Sequence, residues 1–222
     1  MAIIRDGVTA ANLLGVDPTL KALRSSSHPM ESLGQYTLSE FTGLTTGIAA
    51  NGEVFQVRWT DATNLMVLRY LKIRWATVTG FTAAQECALS ASKVSAWSAD
   101  GSGGTTITPS VSNTTNRNSY PVSKIGSMRI ATTGALTAGT KTIAANPFLT
   151  MMRKTMAAAA TVQDTDFEAE FRSSEGNVSP IILAQNEGIV VRNVIAQGAG
   201  GTARLAITMY WEEILATDYP TL

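Results

Sequence analysis

The sequence predicts an all-β protein: a jelly-roll-like antiparallel β-sandwich with an extended N-terminal arm and one short helix. Short segments of alternating apolar and polar residues, separated by turns rich in Gly, Thr, Ser and Asn, are typical of strands. These segments do not alternate with helical patterns, which argues against a parallel α/β sheet. About eight strands with long connections favour a jelly roll over an immunoglobulin-like sandwich.

Two regions are expected, an arm over residues 1–52 and a β-sandwich domain over residues 53–222. The first region mixes glycines and the break Ser25–Pro29 with short apolar pieces that cannot bury themselves. Such a segment often folds on a partner. We therefore expect deletion of residues 1–45 to leave the domain folded and to weaken its assembly. The apolar arm residues expected at a subunit interface are Leu13, Leu14, Leu20 and Leu23.

The strands are predicted from alternation within the second region. Phe55, Val57 and Trp59 form one apolar side of the first strand. The next strand is apolar on both sides in its first half, which predicts that both of its faces are covered there. The predicted strands are Glu53–Trp59, Leu65–Val78, Glu86–Trp97, Ser127–Thr132, Thr165–Phe171, Pro180–Ala184, Glu187–Ala196 and Thr202–Ile214.

One helix is predicted after the Asn146-Pro147 pair. Asn146 is a suitable N-cap, and proline is favoured in the first helical turn. The segment Phe148–Ala160 is rich in Met, Lys, Arg and Ala, which have high helix propensity. A short helix is therefore expected over this segment.

The composition of the chain limits the classes of partner and the compartment to be expected. The formal net charge is zero, with 17 basic and 17 acidic residues, so the basic excess typical of nucleic-acid binders is missing. No apolar run approaches the roughly 20 residues that span a bilayer, and no signal peptide is expected at the start of the chain. The single cysteine, Cys87, permits no internal disulfide framework and is expected to be a buried thiol. These features indicate synthesis in a reducing cytoplasm.

The chain carries few residues suited to catalysis or metal binding. Its single histidine, His28, excludes a Ser-His-Asp site in the β-domain and the two-histidine iron site of cupin-type oxygenases. The carboxylates of Asp164, Asp166, Glu168 and Glu170 alternate as on a solvated strand face rather than as in a calcium loop. No catalytic, cofactor-binding or metal-binding residue is predicted, and the protein is not expected to be an enzyme.

Basic residues alternate with aromatic residues along two predicted strands. A sheet of this kind can bind single-stranded nucleic acid by stacking. Here Arg58 and Trp59, like Arg74 and Trp75, fall on opposite faces, so the rings are expected to point into the core. Nucleic acid is therefore an unlikely partner, and Arg58 and Arg74 are instead predicted to lie at a subunit interface, where arginine is enriched.

Four segments resemble parts of small virion structural proteins of tailed bacteriophages. They are Met128–Thr140 (MRIATTGALTAGT), Asn186–Asn193 (NEGIVVRN), the terminal strand Arg204–Glu212 and the opening stretch Arg5–Leu23. The resemblance lies in strand and turn patterns. It implies a head decoration (cement) protein or another accessory virion protein, without catalytic residues.

The expected function is that of a capsid decoration protein on the virion surface. It would form a homo-oligomer, a trimer, and bind the major capsid protein, stabilising the shell by added buried area. The alternative is a tail-associated receptor- or carbohydrate-binding β-sandwich module, since jelly rolls also serve as lectins. That alternative needs exposed aromatic residues in a cleft, and the sequence candidates are Trp97, Tyr120 and Tyr219.

Overall fold

A computed structural model describes residues 33–114, 121–155, 167–173 and 179–218. Strands dominate these residues, and the helical structure in them is limited to a 3₁₀ turn at Ala216–Asp218. The strands are β1 Gly34–Phe41, β2 Gly52–Trp59, β3 Asn64–Thr79, β4 Gln85–Ala99, β5 Thr105–Thr106, β6 Ile125–Ile130, β7 Thr140–Ile143, β8 Leu149–Thr155, β9 Phe167–Arg172, β10 Ile181–Leu183, β11 Glu187–Asn193 and β12 Thr202–Leu215.

The strands form two antiparallel sheets. Sheet I has the order β1-β12-β3-β10. Strand β9 also pairs directly with β3, further along that strand than β10. Sheet II has the order β5-β6-β2-β11-β4-β7, and β8 also pairs with β4. Every pairing between these strands is antiparallel, as expected when consecutive strands cross between facing sheets.

The strand order confirms the all-β sandwich and has jelly-roll connectivity. The long strands β1, β2, β3 and β4 alternate between the two sheets, and the last two strands return between them. In sheet I, β12 lies between β1 and β3; in sheet II, β11 lies between β2 and β4. This interleaving of early and late strands is the double Greek key of a jelly roll.

The main core lies between the two sheets. Alternate residues of each strand point inward, as the period of two along a strand requires. Tyr36 of β1 stacks on Trp211 of β12 with ring centroids 5.4 Å apart, and both rings are buried. Phe55 and Trp59 of β2 are buried in the same cluster, and the Trp59 Nε1–H donates to the carbonyl oxygen of Asn64 at 2.8 Å. The predicted apolar face of β2 is therefore confirmed.

A second apolar cluster covers the outer side of sheet II. It contains Val94 and Trp97 of β4 and Val190 of β11, with Ile143 of β7 packed against them. The segment that follows β6 thus folds back over this sheet. Because this cluster shields the middle of sheet II from solvent, the outer side of sheet I is the more open of the two.

The predicted helix at Phe148–Ala160 is wrong over the residues that the structure describes. Leu149–Thr155 is strand β8, paired with Gln85–Ala91 of β4, and Met151 enters the core. Residues 156–160 lie outside the described residues. Helix propensity is a local preference, and here the pairing with β4 and the burial of Met151 outweigh it.

The predicted arm boundary at residue 52 is also wrong. Gly34–Phe41 is strand β1, which pairs with β12 along its whole length and buries Tyr36 and Leu38. The loop after β1 is bonded to the sandwich too, since the Thr45 N–H donates to the carbonyl oxygen of Ala203 at 2.8 Å. Residues 34–52 therefore belong to the sandwich rather than to an arm.

Candidate interaction surface

Among the described residues, the outer face of sheet I carries half-buried and exposed side chains. The strand register sets Thr37, Tyr210, Tyr70 and Arg172 in one row across four strands. Leu71, Ile73 and Trp75 alternate with the outward residues of β3 and are buried. We define the outer face of sheet I by the outward residues of three successive rows: Thr37, Ser39, Phe41, Tyr70, Lys72, Arg74, Glu168, Glu170, Arg172, Ala206, Thr208 and Tyr210.

An aromatic pair lies at the centre of this face. The rings of Tyr70 and Tyr210 stack with centroids 5.1 Å apart and an angle of 30° between planes. The Arg172 guanidinium lies 5.3 Å from the Tyr70 ring centroid, within reach of a cation–π contact. The Tyr70 hydroxyl donates to the Glu170 carboxylate at 3.1 Å; partial burial and this bond raise the pKa of Tyr70.

Charged residues form two adjacent columns beside the aromatic pair. Lys72 and Arg74 of β3 form the basic column, and Glu168 and Glu170 of β9 form the acidic column. The Glu168 carboxylate lies 2.8 Å from the Lys72 ammonium and 3.4 Å from the Arg74 guanidinium. The bond to Glu168 raises the pKa of Lys72, and the bond from Arg172 lowers that of Glu170. Both shifts favour the charged forms of Lys72 and Glu170.

The structure describes two of the residues predicted at an interface, Arg58 and Arg74, and of these two Arg74 lies on this face. The Arg74 side chain is half exposed. Arg58 lies in sheet II and is held within the chain, since it donates to Asp100 at 3.0 Å and to Asn186 at 2.9 Å. The predicted contact leucines lie outside the described residues; they are Leu13, Leu14, Leu20 and Leu23.

Of the aromatic residues proposed for a carbohydrate site, the structure describes only Trp97, and its ring is not exposed to a ligand. Trp97 is buried and lies under the ammonium of Lys141, 4.3 Å from the ring centroid. Tyr120 and Tyr219 lie outside the described residues. As predicted, Trp59 and Trp75 point into the core, which leaves Tyr70 as the aromatic residue of β3 on the same side as Lys72 and Arg74.

The alternating carboxylates are on a solvated strand face, as predicted. Glu168 and Glu170 are exposed and paired with basic neighbours, while Asp164 and Asp166 lie outside the described residues. Within the described ranges, no group of three or more His, Cys, Asp or Glu side chains could hold a metal ion. Cys87 is a buried free thiol, as predicted, and burial raises its pKa.

Sequence reasoning missed the partners of Tyr70. Because side chains alternate along a strand, the sequence of β3 already places Tyr70, Lys72 and Arg74 on one side. Tyr210 and Arg172 come from strands more than 100 positions further along the chain, and only the register joins them to this side. No spacing in the sequence signals that register.

Comparison of the chain with protein-family models, with curated proteins and with solved structures finds no match. No helix in the described part of the chain has the length and apolarity needed to cross a bilayer. The arguments about function therefore rest on this chain's own residues.

Proposed function

We propose that this chain is a structural virion protein of a tailed bacteriophage, a capsid decoration protein that assembles with copies of itself and binds the outside of the head shell. The outer face of sheet I carries the proposal. It is broad and exposed, and tyrosine and arginine, the residues enriched at protein interfaces, are at its centre. The resemblance to phage virion proteins and the jelly-roll connectivity support the same class.

The occupant we assign to this face is a second copy of the chain. The acidic column of β9 runs beside the basic column of β3. A two-fold axis parallel to the strands and between the columns sets each acidic column opposite the basic column of the other copy. The same operation sets Tyr70 of each copy opposite Arg172 of the other, because these two residues share one row of the register. The face is therefore complementary to itself in charge.

The mechanical role follows from added contact area. Each copy bound to the shell adds buried surface that must be exposed again before shell subunits separate, and stable contacts bury about 1,600 Å². Oligomers bind at several points at once, which raises the overall affinity above that of one contact. We propose the major capsid protein as the second partner.

Charge reversal tests the contact between copies. One variant carries Lys72→Glu and Arg74→Glu, and a second carries Glu168→Lys and Glu170→Lys. Each variant places like charges across the interface, so each alone is expected to dissociate in light scattering at low salt. An equimolar mixture is expected to re-associate, because each acidic face then meets a basic one. A two-fold contact through this face closes a dimer, so the mass of the wild-type oligomer decides between two copies and the three that the sequence argument expects.

Lys154→Glu is the matched control, since Lys154 is an exposed residue of β8 in sheet II. It is expected to leave the wild-type mass unchanged. Oligomers of wild-type mass in both charge-reversed variants would overturn the assignment of this face. Cryo-electron microscopy of the source particle tests the role itself: density for this chain on the capsid exterior supports decoration, and density at the tail tip contradicts it.

A further inference from the structure

A cleft opens at the side of the sandwich, between the end of β1 and the short strand β5. Its volume is about 380 Å³, within the range of small-molecule sites, which is roughly 300–1,000 Å³. We call it the β1–β5 cleft. It is lined by Glu40, Phe41, Gly43, Thr105, Thr106, Ile107, Thr108, Asn113, Ile130, Ala131 and Thr132.

The cleft exists because two sheet edges meet there without pairing. β1 is the edge of sheet I and β5 is the edge of sheet II. Backbone hydrogen bonds join the segments beneath these two edges. The Gly43 N–H donates to the carbonyl oxygen of Ala131 at 3.1 Å, and the Ile107 N–H donates to the carbonyl oxygen of Met128 at 2.9 Å. These bonds make the floor part of the sandwich, so the cleft is preformed.

The lining combines an apolar floor with polar walls and an aromatic rim. Ile107, Ile130 and Ala131 of the floor are buried. Phe41 at the rim is 63% exposed, and it leaves β1 on the side opposite to Glu40, so the two side chains flank the strand edge at the cleft. The walls carry the exposed hydroxyls of four threonines, Thr105, Thr106, Thr108 and Thr132.

Two further polar groups differ in what they can offer a ligand. The Asn113 side chain is used within its own loop, since it donates to the carbonyl oxygen of Thr108 at 3.0 Å and accepts from the Ser110 N–H at 2.7 Å. Glu40 is half-buried in the cleft, and no hydrogen bond or ion pair joins its carboxylate to another described residue. Glu40 is therefore the acceptor available to a ligand.

We propose that the β1–β5 cleft binds a neutral sugar residue of an oligosaccharide. The Phe41 ring offers a flat apolar surface for the C–H face of a pyranose, whose polarised hydrogens are attracted to the ring. The Glu40 carboxylate accepts from sugar hydroxyls, and the threonine hydroxyls donate or accept as each orientation requires. The carboxylate repels uronic and sialic acids. The cleft borders the outer face of sheet I, because Phe41 shares a row with Ala206 and Arg74. Phe41 lies on β1, at the edge of that sheet away from β9, so the proposal holds whether or not copies meet at the charged columns.

The test is binding of neutral oligosaccharides to the full chain. Saturation-transfer NMR with maltotriose, lactose and mannotriose is followed by titration with the sugar that responds. Phe41→Ala is expected to weaken binding by about tenfold or more, the loss of one stacking contact worth about 1.4 kcal/mol. Glu40→Gln is expected to weaken binding and to remove discrimination against a sialylated form of the sugar.

Val78→Ala is the matched control, because Val78 is 54% exposed at the end of β3 and does not line the cleft. It is expected to bind like the wild type. Unchanged thermal unfolding of Phe41→Ala confirms that the loss arises at the cleft. An absence of binding to all three sugars, or binding that Phe41→Ala leaves unchanged, overturns the proposal.

Discussion

The ammonium of Lys141 lies 2.6 Å from a carboxylate oxygen of Glu53, and the two side chains are only 1% and 3% exposed. Gln56 donates to the same carboxylate at 2.5 Å and to the carbonyl oxygen of Thr137 at 2.7 Å. The ammonium also donates to the carbonyl oxygen of Ala138. The pair thus fastens the segment around β7 to β2, across the outer side of sheet II.

Lys141→Met is expected to destabilise the fold by about 3–5 kcal/mol, because it leaves Glu53 buried without its cation. The double variant Lys141→Met, Glu53→Gln is expected to be more stable than the single variant, since no buried charge remains. Urea denaturation of both variants measures this difference. Lys93→Met is the control: Lys93 forms a more exposed pair with Glu187 at 3.2 Å, worth about 1 kcal/mol or less. Equal losses from Lys141→Met and Lys93→Met would contradict the argument.

Glu213 gives the fold a second buried carboxylate and a dependence on pH. Burial raises the pKa of Glu213 above 4.5, although Ser123 donates to it at 2.6 Å and the Lys124 N–H at 3.0 Å. The folded state therefore binds this proton more tightly than the unfolded state. The resulting stability is complete below the unfolded pKa and is lost as the pH rises through the raised folded pKa.

Glu213→Gln is expected to remove that loss. As the pH rises from the ordinary glutamate pKa through the raised pKa of Glu213, the unfolding free energy of the wild type should fall relative to that of the variant. Glu170→Gln is the control of opposite sign: the bond from Arg172 lowers the pKa of Glu170, so its contribution is lost as the pH falls below the ordinary glutamate pKa. Denaturant titrations from below the ordinary glutamate pKa to neutral pH measure both differences. If the difference in unfolding free energy between the wild type and Glu213→Gln does not change with pH, Glu213 has the same pKa in the folded and unfolded states.

Much of the fold could be predicted because strand alternation is local. The faces of β2 and β9 follow from the sequence, since Phe55, Val57 and Phe171 repeat at every second position and are buried. Strand β1 was missed although Tyr36 and Leu38 alternate with polar neighbours, because glycine-rich flanks made residues 1–52 look uniform. Its role depends on β12, whose pairing no local pattern reveals.

The candidate sites were harder to predict than the strands. The β1–β5 cleft arises where the edges of two different sheets approach, so it depends on topology rather than on spacing. Phe41 looked like an ordinary apolar residue, and its exposure follows from its position at the end of an edge strand. The helix predicted over β8 failed for a related reason, since pairing with β4 is a contact between distant segments.

Gly188 is expected to tolerate no side chain. It lies in β11, the strand between β2 and β4, and a Cβ there would overlap the carbonyl oxygen of Val57 and lie 2.6 Å from the Trp97 ring. Gly188→Ala is expected to destabilise by about 1–3 kcal/mol, because neighbouring backbone must shift. Gly134→Ala is the control, since a Cβ there meets nothing within 4 Å. Thermal unfolding compares the two, and equal midpoints would contradict the close packing.

Two truncations separate the sandwich from the sequence-predicted arm. Removal of residues 1–45 deletes β1, which pairs with β12 along its length and stacks Tyr36 on Trp211. Loss of this strand exposes the core, so this truncation is expected to abolish cooperative unfolding. Removal of residues 1–32 leaves every described strand intact and is expected to keep the cooperative transition while weakening assembly. Near-ultraviolet circular dichroism and light scattering test both. A cooperative transition after removal of residues 1–45 would show that β1 is dispensable and restore the longer arm.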